Sequence, residues 1–300
     1  MSDASTKAAF LGLGAIGRPM AEHLARKMDL AVWNRTRARA EEFAARHGVR
    51  VAATPREAGA GAAVVLTCLP TSTEVELLLD GPDGLEAGLA PGALLLDCTS
   101  GDPPTSRRIA ARLAGRGVAF ADCPVSGGTS GAEAGTLTVM VGADAATFAR
   151  ARPVLEAFSL RIEHMGPVGA GDAMKAVNNM LLAAHILAFG EGFAALVKAG
   201  VPARKALDVL NASSGRSFVS EGLAGDRVLS GRWPKTFRLA LLEKDVRIAL
   251  GLLDETGVPA PVLHLVGELF RHARAVLGEE ADHVEAIRLI EREAGVQIRG

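Results

Sequence analysis

One lysine interrupts an apolar stretch at Gly171-Asp172-Ala173-Met174-Lys175-Ala176-Val177-Asn178-Asn179-Met180, and its spacing to Asn179 makes it the first candidate for chemistry. Residues four apart share a helix face, so Lys175 and Asn179 direct an amine and an amide into one space. The amine can take the proton of a hydroxyl or give one to a carbonyl oxygen, while the amide orients the reacting group. As ammonium it is already the acid for carbonyl reduction. Alcohol oxidation needs the neutral amine, which burial and a helix N-terminus both favour. If Asp172 caps the helix, Lys175 falls in its first turn, where the dipole disfavours a cation, so helix stability does not account for the residue. The plainer alternative is a lysine stem laid along apolar surface with its ammonium reaching water.

Two glycine loops could serve that amine. In Asp122-Cys123-Pro124-Val125-Ser126-Gly127-Gly128-Thr129-Ser130-Gly131, the Ser126 hydroxyl and the amides near Gly127 and Gly128 can bind a carboxylate, or the glycines simply turn the chain. Phe10-Leu11-Gly12-Leu13-Gly14-Ala15-Ile16-Gly17 carries GxGxxG between a strand pattern and a helix pattern. There Gly12 permits a tight turn, Gly14 a close approach to pyrophosphate and Gly17 helix–sheet packing, with the amides around Ala15 and Ile16 receiving phosphate. The second apolar run ends in Asn34-Arg35-Thr36 rather than in an acid. A carboxylate would hold the ribose hydroxyls of NAD, whereas an amide, a cation and a hydroxyl suit a 2′-phosphate, so NADP is preferred and NAD remains compatible. A solvated arginine at a strand end is the alternative for Arg35.

These residues need a frame. From Lys7 to about Ile162 the runs "AAFLGLG", "LAVWN", "AAVVLTCLP", "GALLLDCTS", "VAFADCPVS", "LTVMVG" and "LRIEHMG" alternate with amphipathic segments. The pattern reads as βαβ units forming a mostly parallel sheet buried on both faces. After Gly166-Pro167-Val168 the strand-like runs stop, and helical patterns follow at about 172–199, 202–212, 239–256, 261–277 and 282–293. The predicted fold is an α/β Rossmann domain, residues 1–167, followed by an all-α domain, residues 168–300. The first of these helices is apolar nearly all round, which predicts a buried spine and a homodimer or homotetramer.

With 33 basic and 34 acidic residues in 300, the chain has no electrostatic footprint for nucleic acid or an anionic membrane, and a small molecule is the expected partner. No apolar run reads as long enough to cross a bilayer, and Met1 to Thr6 lacks the blocks of a signal peptide, so a cytoplasmic location is expected. Cys68, Cys98 and Cys123 show no CxxC pairing and read as small core residues. The seven histidines lack HExxH spacing, so no metal is expected, and His185 on the apolar helix reads as a core histidine.

Four stretches in this order, "FLGLGAIGRPMAEHL", "DCPVSGGTSGAEAGTLTVMVG", "GPVGAGDAMKAVNN" and "FRLALLEKDVRIAL", make the chain similar to the β-hydroxyacid dehydrogenase family over essentially its whole length, and within it to the bacterial 3-hydroxyisobutyrate dehydrogenases. The resemblance implies NAD(P)-dependent hydride transfer between a short β-hydroxy acid and a nicotinamide. Lys175 would be the catalytic acid/base, and Ser126, Gly127, Gly128 and Asn179 would contact a carboxylate substrate. The resemblance also implies cofactor contacts from Leu69 and Pro70, from Ser100 or its neighbour Thr99, and from Lys244, which spacing alone leaves equally as a surface helix lysine. Asp245 would have a structural hydrogen-bonding role. NAD-using members commonly carry an acid where this chain has Asn34, whereas Asn34-Arg35-Thr36 resembles NADP-using reductases of glyoxylate and succinic semialdehyde. Two other readings stand beside the first: such an NADPH-dependent reductase, and a non-catalytic NADP-binding module, which the retained Lys175 disfavours. Imine reduction is also disfavoured, because relatives that perform it usually replace the lysine.

Overall fold

The computed structural model describes residues 6–300; Met1–Ser5, most of the stretch read for a signal peptide, lie outside the described residues. The chain forms two compact units, Met1–Lys175 and Ala176–Gly300.

In the first unit β1 (Lys7–Leu11), β2 (Asp29–Trp33), β3 (Arg50–Val51), β4 (Val64–Thr67), β5 (Leu94–Asp97) and β6 (Ala119–Asp122) are parallel, in the order β3-β2-β1-β4-β5-β6. The short β7 (Val125–Ser126) pairs antiparallel with β8 (Leu137–Gly142), which also meets β6 at Asp122 and Gly142, and β9 (Ser159–Gly166) runs parallel to β8. Parallel neighbours require crossovers. Helices α1 (Gly17–Ala25), α2 (Arg37–His47), α3 (Pro55–Gly59), α4 (Ser72–Leu79), α5 (Leu85–Gly88), α6 (Pro103–Ala114), α7 (Gly128–Ala134) and α8 (Ala145–Leu155) lie between the strands. Alternate residues of β1 feed two separate apolar layers, Ala8 and Phe10 in one, Ala9 and Leu11 in the other, as a sheet covered on both faces demands. The seven predicted runs are all strands. The two-residue β3 is not predicted, because two residues carry no period.

The second unit is helical. Helix α9 (Ala170–Lys198) enters it from the first, and α10 (Ala203–Asn211), α11 (Leu239–Thr256), α12 (Pro261–Leu277) and α13 (Ala286–Ala294) follow. The pattern does not predict the wide helix with i→i+5 bonding at Val219–Leu229, where Ser220, Gly222 and Gly225 obscure the buried face of Val219, Leu223 and Val228. The predicted boundary at 167/168 marks the end of β9, whereas the compact units divide at 175/176. The first turn of α9 stays with the sheet because Asp122 of β6 accepts its amides.

Two expectations about α9 are corrected. The helix is long and apolar enough to cross a bilayer, with a mean hydropathy of 1.8 over eighteen residues, because beyond Lys175, Asn178 and Asn179 only His185 and Glu191 interrupt the run before Lys198. Met180, Ala183, Ile186 and Phe193 are buried in the core of the second unit, the setting of a core helix. Its neighbours in the chain leave Met174 and Leu181 exposed, so a face remains for the second subunit that the sequence expectation also allows. His185 is exposed as well and is no core histidine.

Candidate active site

The glycine loop between β1 and α1 sits where the strand order reverses, between β1 and β4, the crevice in which open α/β sheets receive nucleotides. Gly12 takes a φ of +107°, and a Cβ there would stand 2.3 Å from the Cys68 carbonyl oxygen, so both its conformation and its space exclude a side chain. A Cβ at Gly17 would lie 2.0 Å from the Gly12 carbonyl oxygen, which fixes α1 close against the loop. At Gly14 a Cβ would meet no protein atom within 4 Å, so the backbone there faces open space. Ala15 is exposed, Ile16 is half-buried, and no side chain caps α1. The loop thus fits a pyrophosphate received by backbone amides.

At the end of β2, Asn34 braces this loop. Its Oδ1 accepts the Leu13 amide hydrogen at 2.9 Å and its Nδ2 donates to the Thr36 carbonyl at 3.0 Å. The carboxamide that sequence reading offers to a 2′-phosphate is therefore largely engaged in holding the turn. Arg35 and Thr36 are exposed, and Arg35 pairs with Glu74 of α4 at 3.4 Å. The Thr36 hydroxyl does not cap α2.

The ends of β4 and β5 are joined by a buried network the sequence does not announce. Asp97 accepts the Thr67 hydroxyl at 2.8 Å and the Thr99 amide at 3.0 Å, and the Thr99 hydroxyl accepts the Leu69 amide at 3.0 Å. Thr99 is buried and committed to this network, so of the two candidates Ser100, half-buried, is the more accessible to a ligand. Leu69 is half-buried and Pro70 exposed. Burial pushes the Asp97 carboxyl up to about 6, against the hydrogen bonds from Thr99 and Thr67. One residue beyond the paired positions Thr67, Asp97 and Asp122 stand Cys68, Cys98 and Cys123 on three neighbouring strands. Cys98 and Cys123 are buried core residues and Cys68 is half-buried. Burial pushes the Cys68 thiol up to about 12 and the other two well above the ordinary range.

Beyond Pro124, β7 ends in Ser126, half-buried, and Gly127 and Gly128 follow with φ of +134° and +64°, both exposed. The strand leading into this loop is bonded to the helix that carries the lysine. Asp122 accepts the Gly169 amide at 2.7 Å and the Asp172 amide at 2.9 Å. The cap of α9 is therefore Asp122 and not Asp172. The Asp172 carboxylate instead accepts the Gly101 amide at 3.2 Å and bonds to the Ser106 hydroxyl at 2.6 Å. Burial pushes Asp122 up to about 6 and Asp172, facing Asp122 and Asp97, well above its usual range. One turn further on, Lys175 is withdrawn from solvent at 9% exposure.

Asn179 and Lys244 belong to the second unit. Asn179 is buried and donates from Nδ2 to Asp245 at 2.5 Å, while its Oδ1 accepts from Asn178 at 3.1 Å. Asp245 also forms an ion pair with Lys244 at 3.0 Å, so it joins two predicted site residues. Asp97, Asp122, Asp172 and Ser106 are absent from the sequence-derived site. Acids ending the apolar runs "LLLD" and "AFAD" are the visible signal for Asp97 and Asp122, Asp172 reads only as a helix cap, and Ser106 carries no signal.

Residues 7–166 match the family described as the NAD binding domain of 6-phosphogluconate dehydrogenase, and residues 169–290 that described as NAD-binding of NADP-dependent 3-hydroxyisobutyrate dehydrogenase. The 2-(hydroxymethyl)glutarate dehydrogenase of Eubacterium barkeri is 35% identical over 99% of this chain and 98% of that one. The NAD-dependent L-serine dehydrogenase of Pseudomonas aeruginosa is 37% identical over 88% of this chain and 90% of its own. The solved Mycobacterium tuberculosis 3-hydroxyisobutyrate dehydrogenase with L-serine matches with a TM-score of 0.85 at 32% identity, covering 95% of this chain and 99% of that one. Sequence and fold agree over both units, and the chain belongs to the β-hydroxyacid dehydrogenase family, as an NAD(P)-dependent oxidoreductase acting on the CH–OH group of hydroxy acids.

Proposed function

We propose that the enzyme oxidises a short acid of the form HOCH2–CHR–COO⁻ to its semialdehyde, with 3-hydroxyisobutyrate the leading candidate. The names of the three relatives support this class. Serine, 3-hydroxyisobutyrate and 2-(hydroxymethyl)glutarate all carry a hydroxymethyl group on the carbon that bears a carboxylate. The observation that carries the reading is the withdrawn Lys175 on a helix whose start is bonded to the strand entering the Ser126–Gly128 loop.

In this reading Ser126 and the amides near Gly127 and Gly128 hold the carboxylate, and Asn179, oriented by Asp245, directs the hydroxymethyl group. Lys175 takes the hydroxyl proton on oxidation and returns it to the carbonyl oxygen on reduction. When bound, the nicotinamide supplies the hydride acceptor or donor. Residues Gly12, Gly14 and Gly17 would hold its pyrophosphate, and Leu69, Pro70, Ser100 and Lys244 the remainder. Arg35 and Thr36 favour NADP over NAD through the 2′-phosphate.

A second reading, reduction of glyoxylate or succinic semialdehyde with NADPH, is favoured by Asn34-Arg35-Thr36 alone. Initial rates for L-serine, 3-hydroxyisobutyrate, 2-(hydroxymethyl)glutarate and the two aldehydes, each with both cofactors, separate the two. Oxidation of the hydroxymethyl acids supports the first, and turnover confined to the aldehydes with NADPH removes it. Lys175→Ala should lower kcat by about 100- to 10,000-fold with dinucleotide binding retained; an unchanged kcat would exclude the proton-transfer role. A homodimer or homotetramer is proposed on the exposed apolar side chains Val262 and Leu265 of α12, and a monomer mass by light scattering would remove it.

A further inference from the structure

Two buried carboxyl groups lie at the start of the helix that carries the lysine, and the mechanism above uses neither. Asp122 and Asp172 are 0% and 1% exposed. Asp122 places one oxygen on the Gly169 amide and the other on the Asp172 amide. Asp172 sets its own carboxyl on the Gly101 amide and the Ser106 hydroxyl of α6. Through these four bonds the strand entering the Ser126 loop, the turn after Ser100 and the first turn of α9 are tied at one point. Little room exists for any other arrangement, since a Cβ at Gly142 would stand 2.3 Å from an Asp122 oxygen and one at Gly171 2.9 Å from the other.

We propose that Asp122 and Asp172 act as a pair holding one proton between them, and that this pair positions Lys175. The inference rests on the catalytic reading of Lys175. Two ionised carboxylates in a water-excluded space repel, and each is desolvated, so the pair retains a proton that separate aspartates release. Beside Gly169 lies the guanidinium of Arg107 of α6, 3.3 Å from where a Cβ would stand, but Arg107 is exposed and water screens its charge. Strand β5 contributes Asp97, which adds negative potential, together with the un-ionised thiol of Cys98; β6 contributes Cys123, α6 the Ser106 hydroxyl, and α9 Lys175 one turn away. Asp122 carries the charge, because its amide partners suit a carboxylate at a helix start. Asp172 carries the proton. When Asp172 ionises, like charges face each other across the first turn of α9, and the lysine loses its fixed place. The folded pair binds a proton that the unfolded chain has already lost above the ordinary carboxyl range. Stability therefore falls as pH rises from that range through the ionisation of Asp172.

Full-length Asp172→Asn and Asp122→Asn variants test this, by infrared spectroscopy of the un-ionised carboxyl stretch and by pH profiles of kcat and of the melting midpoint. The wild type should show an un-ionised carboxyl band at neutral pH that Asp172→Asn lacks. Asp172→Asn, an isostere of the protonated acid, should shift the alkaline limb of both profiles upward. Asp122→Asn turns an amide group toward two backbone N–H donors and should lower kcat at least tenfold with little change in the KM of dinucleotide. No un-ionised band at neutral pH, or superimposable wild-type and Asp172→Asn profiles, would overturn the pair. The band and the melting profile do not depend on turnover, so if both behave as expected while Lys175→Ala remains active, the pair stands and the catalytic reading fails.

Discussion

Arg35 leaves the end of β2 with its side chain 85% exposed, paired with Glu74 across solvent. Such a pair contributes at most about 1 kcal/mol, so Arg35→Ala should barely change the melting midpoint. A charge-assisted bond to a 2′-phosphate is worth about 1.5–3 kcal/mol, and the same variant should weaken NADPH by about 10- to 100-fold and NADH little. Equal losses for both cofactors, measured by fluorescence titration, would refute the phosphate assignment. Asn34 beside it shows a limit of sequence reading. Its type is legible, yet only the fold reveals that its oxygen is occupied by the Leu13 amide. Lys175 was readable because a cation in an apolar run has no cheap structural explanation. Asp122 was not, because an acid ending a strand looks the same whether it meets water or, as here, amides 47 residues further along.

At the scale of elements, period and caps made most of the fold legible. The seven apolar runs are strands, and the five late patterns are helices whose ends shift by a few residues. What escaped was short or irregular: the two-residue β3, and the wide helix Val219–Leu229, in which two glycines break the stripe. Helix α8 shows a cap that can be tested. Asp144 accepts the Thr147 amide at 2.8 Å and the Thr147 hydroxyl at 2.9 Å, and these bonds hold its carboxyl below the ordinary range. Asp144→Ala should cost about 1 kcal/mol and Asp144→Asn much less, read as denaturation midpoints at pH 7. Because its folded value is depressed, that stabilisation is present above about pH 4 and fades as pH falls further.

Taken whole, the two units should respond to pH in different ranges. In the first, Asp97 and Asp122 are held up to about 6 by burial, so their cost to stability appears as pH rises from about 4 to about 6. In the second, burial alone would raise Asp282, but the hydrogen bond and charge of His283, with the amides of Phe237 and Thr236, hold it well below its usual range. Its contribution is present above about pH 4 and is lost on further acidification. Each unit holds one tryptophan, Trp33 in the first and Trp233 in the second. Melting of Trp33→Phe and Trp233→Phe, followed by fluorescence between about pH 3 and 7, should show the first unit gaining stability as pH falls from about 6 to about 4 and the second unit gaining none there and weakening below about pH 4. Parallel trends would contradict the assignment. The row of Cys68, Cys98 and Cys123 just beyond the paired ends of β4, β5 and β6 has a further use. Thiols so sequestered are inert while the strand ends stay together, so alkylation of Cys98 and Cys123 can proceed only during brief partings of β4, β5 and β6. The rate of modification thereby clocks how often this edge opens, and saturating dinucleotide should slow that clock.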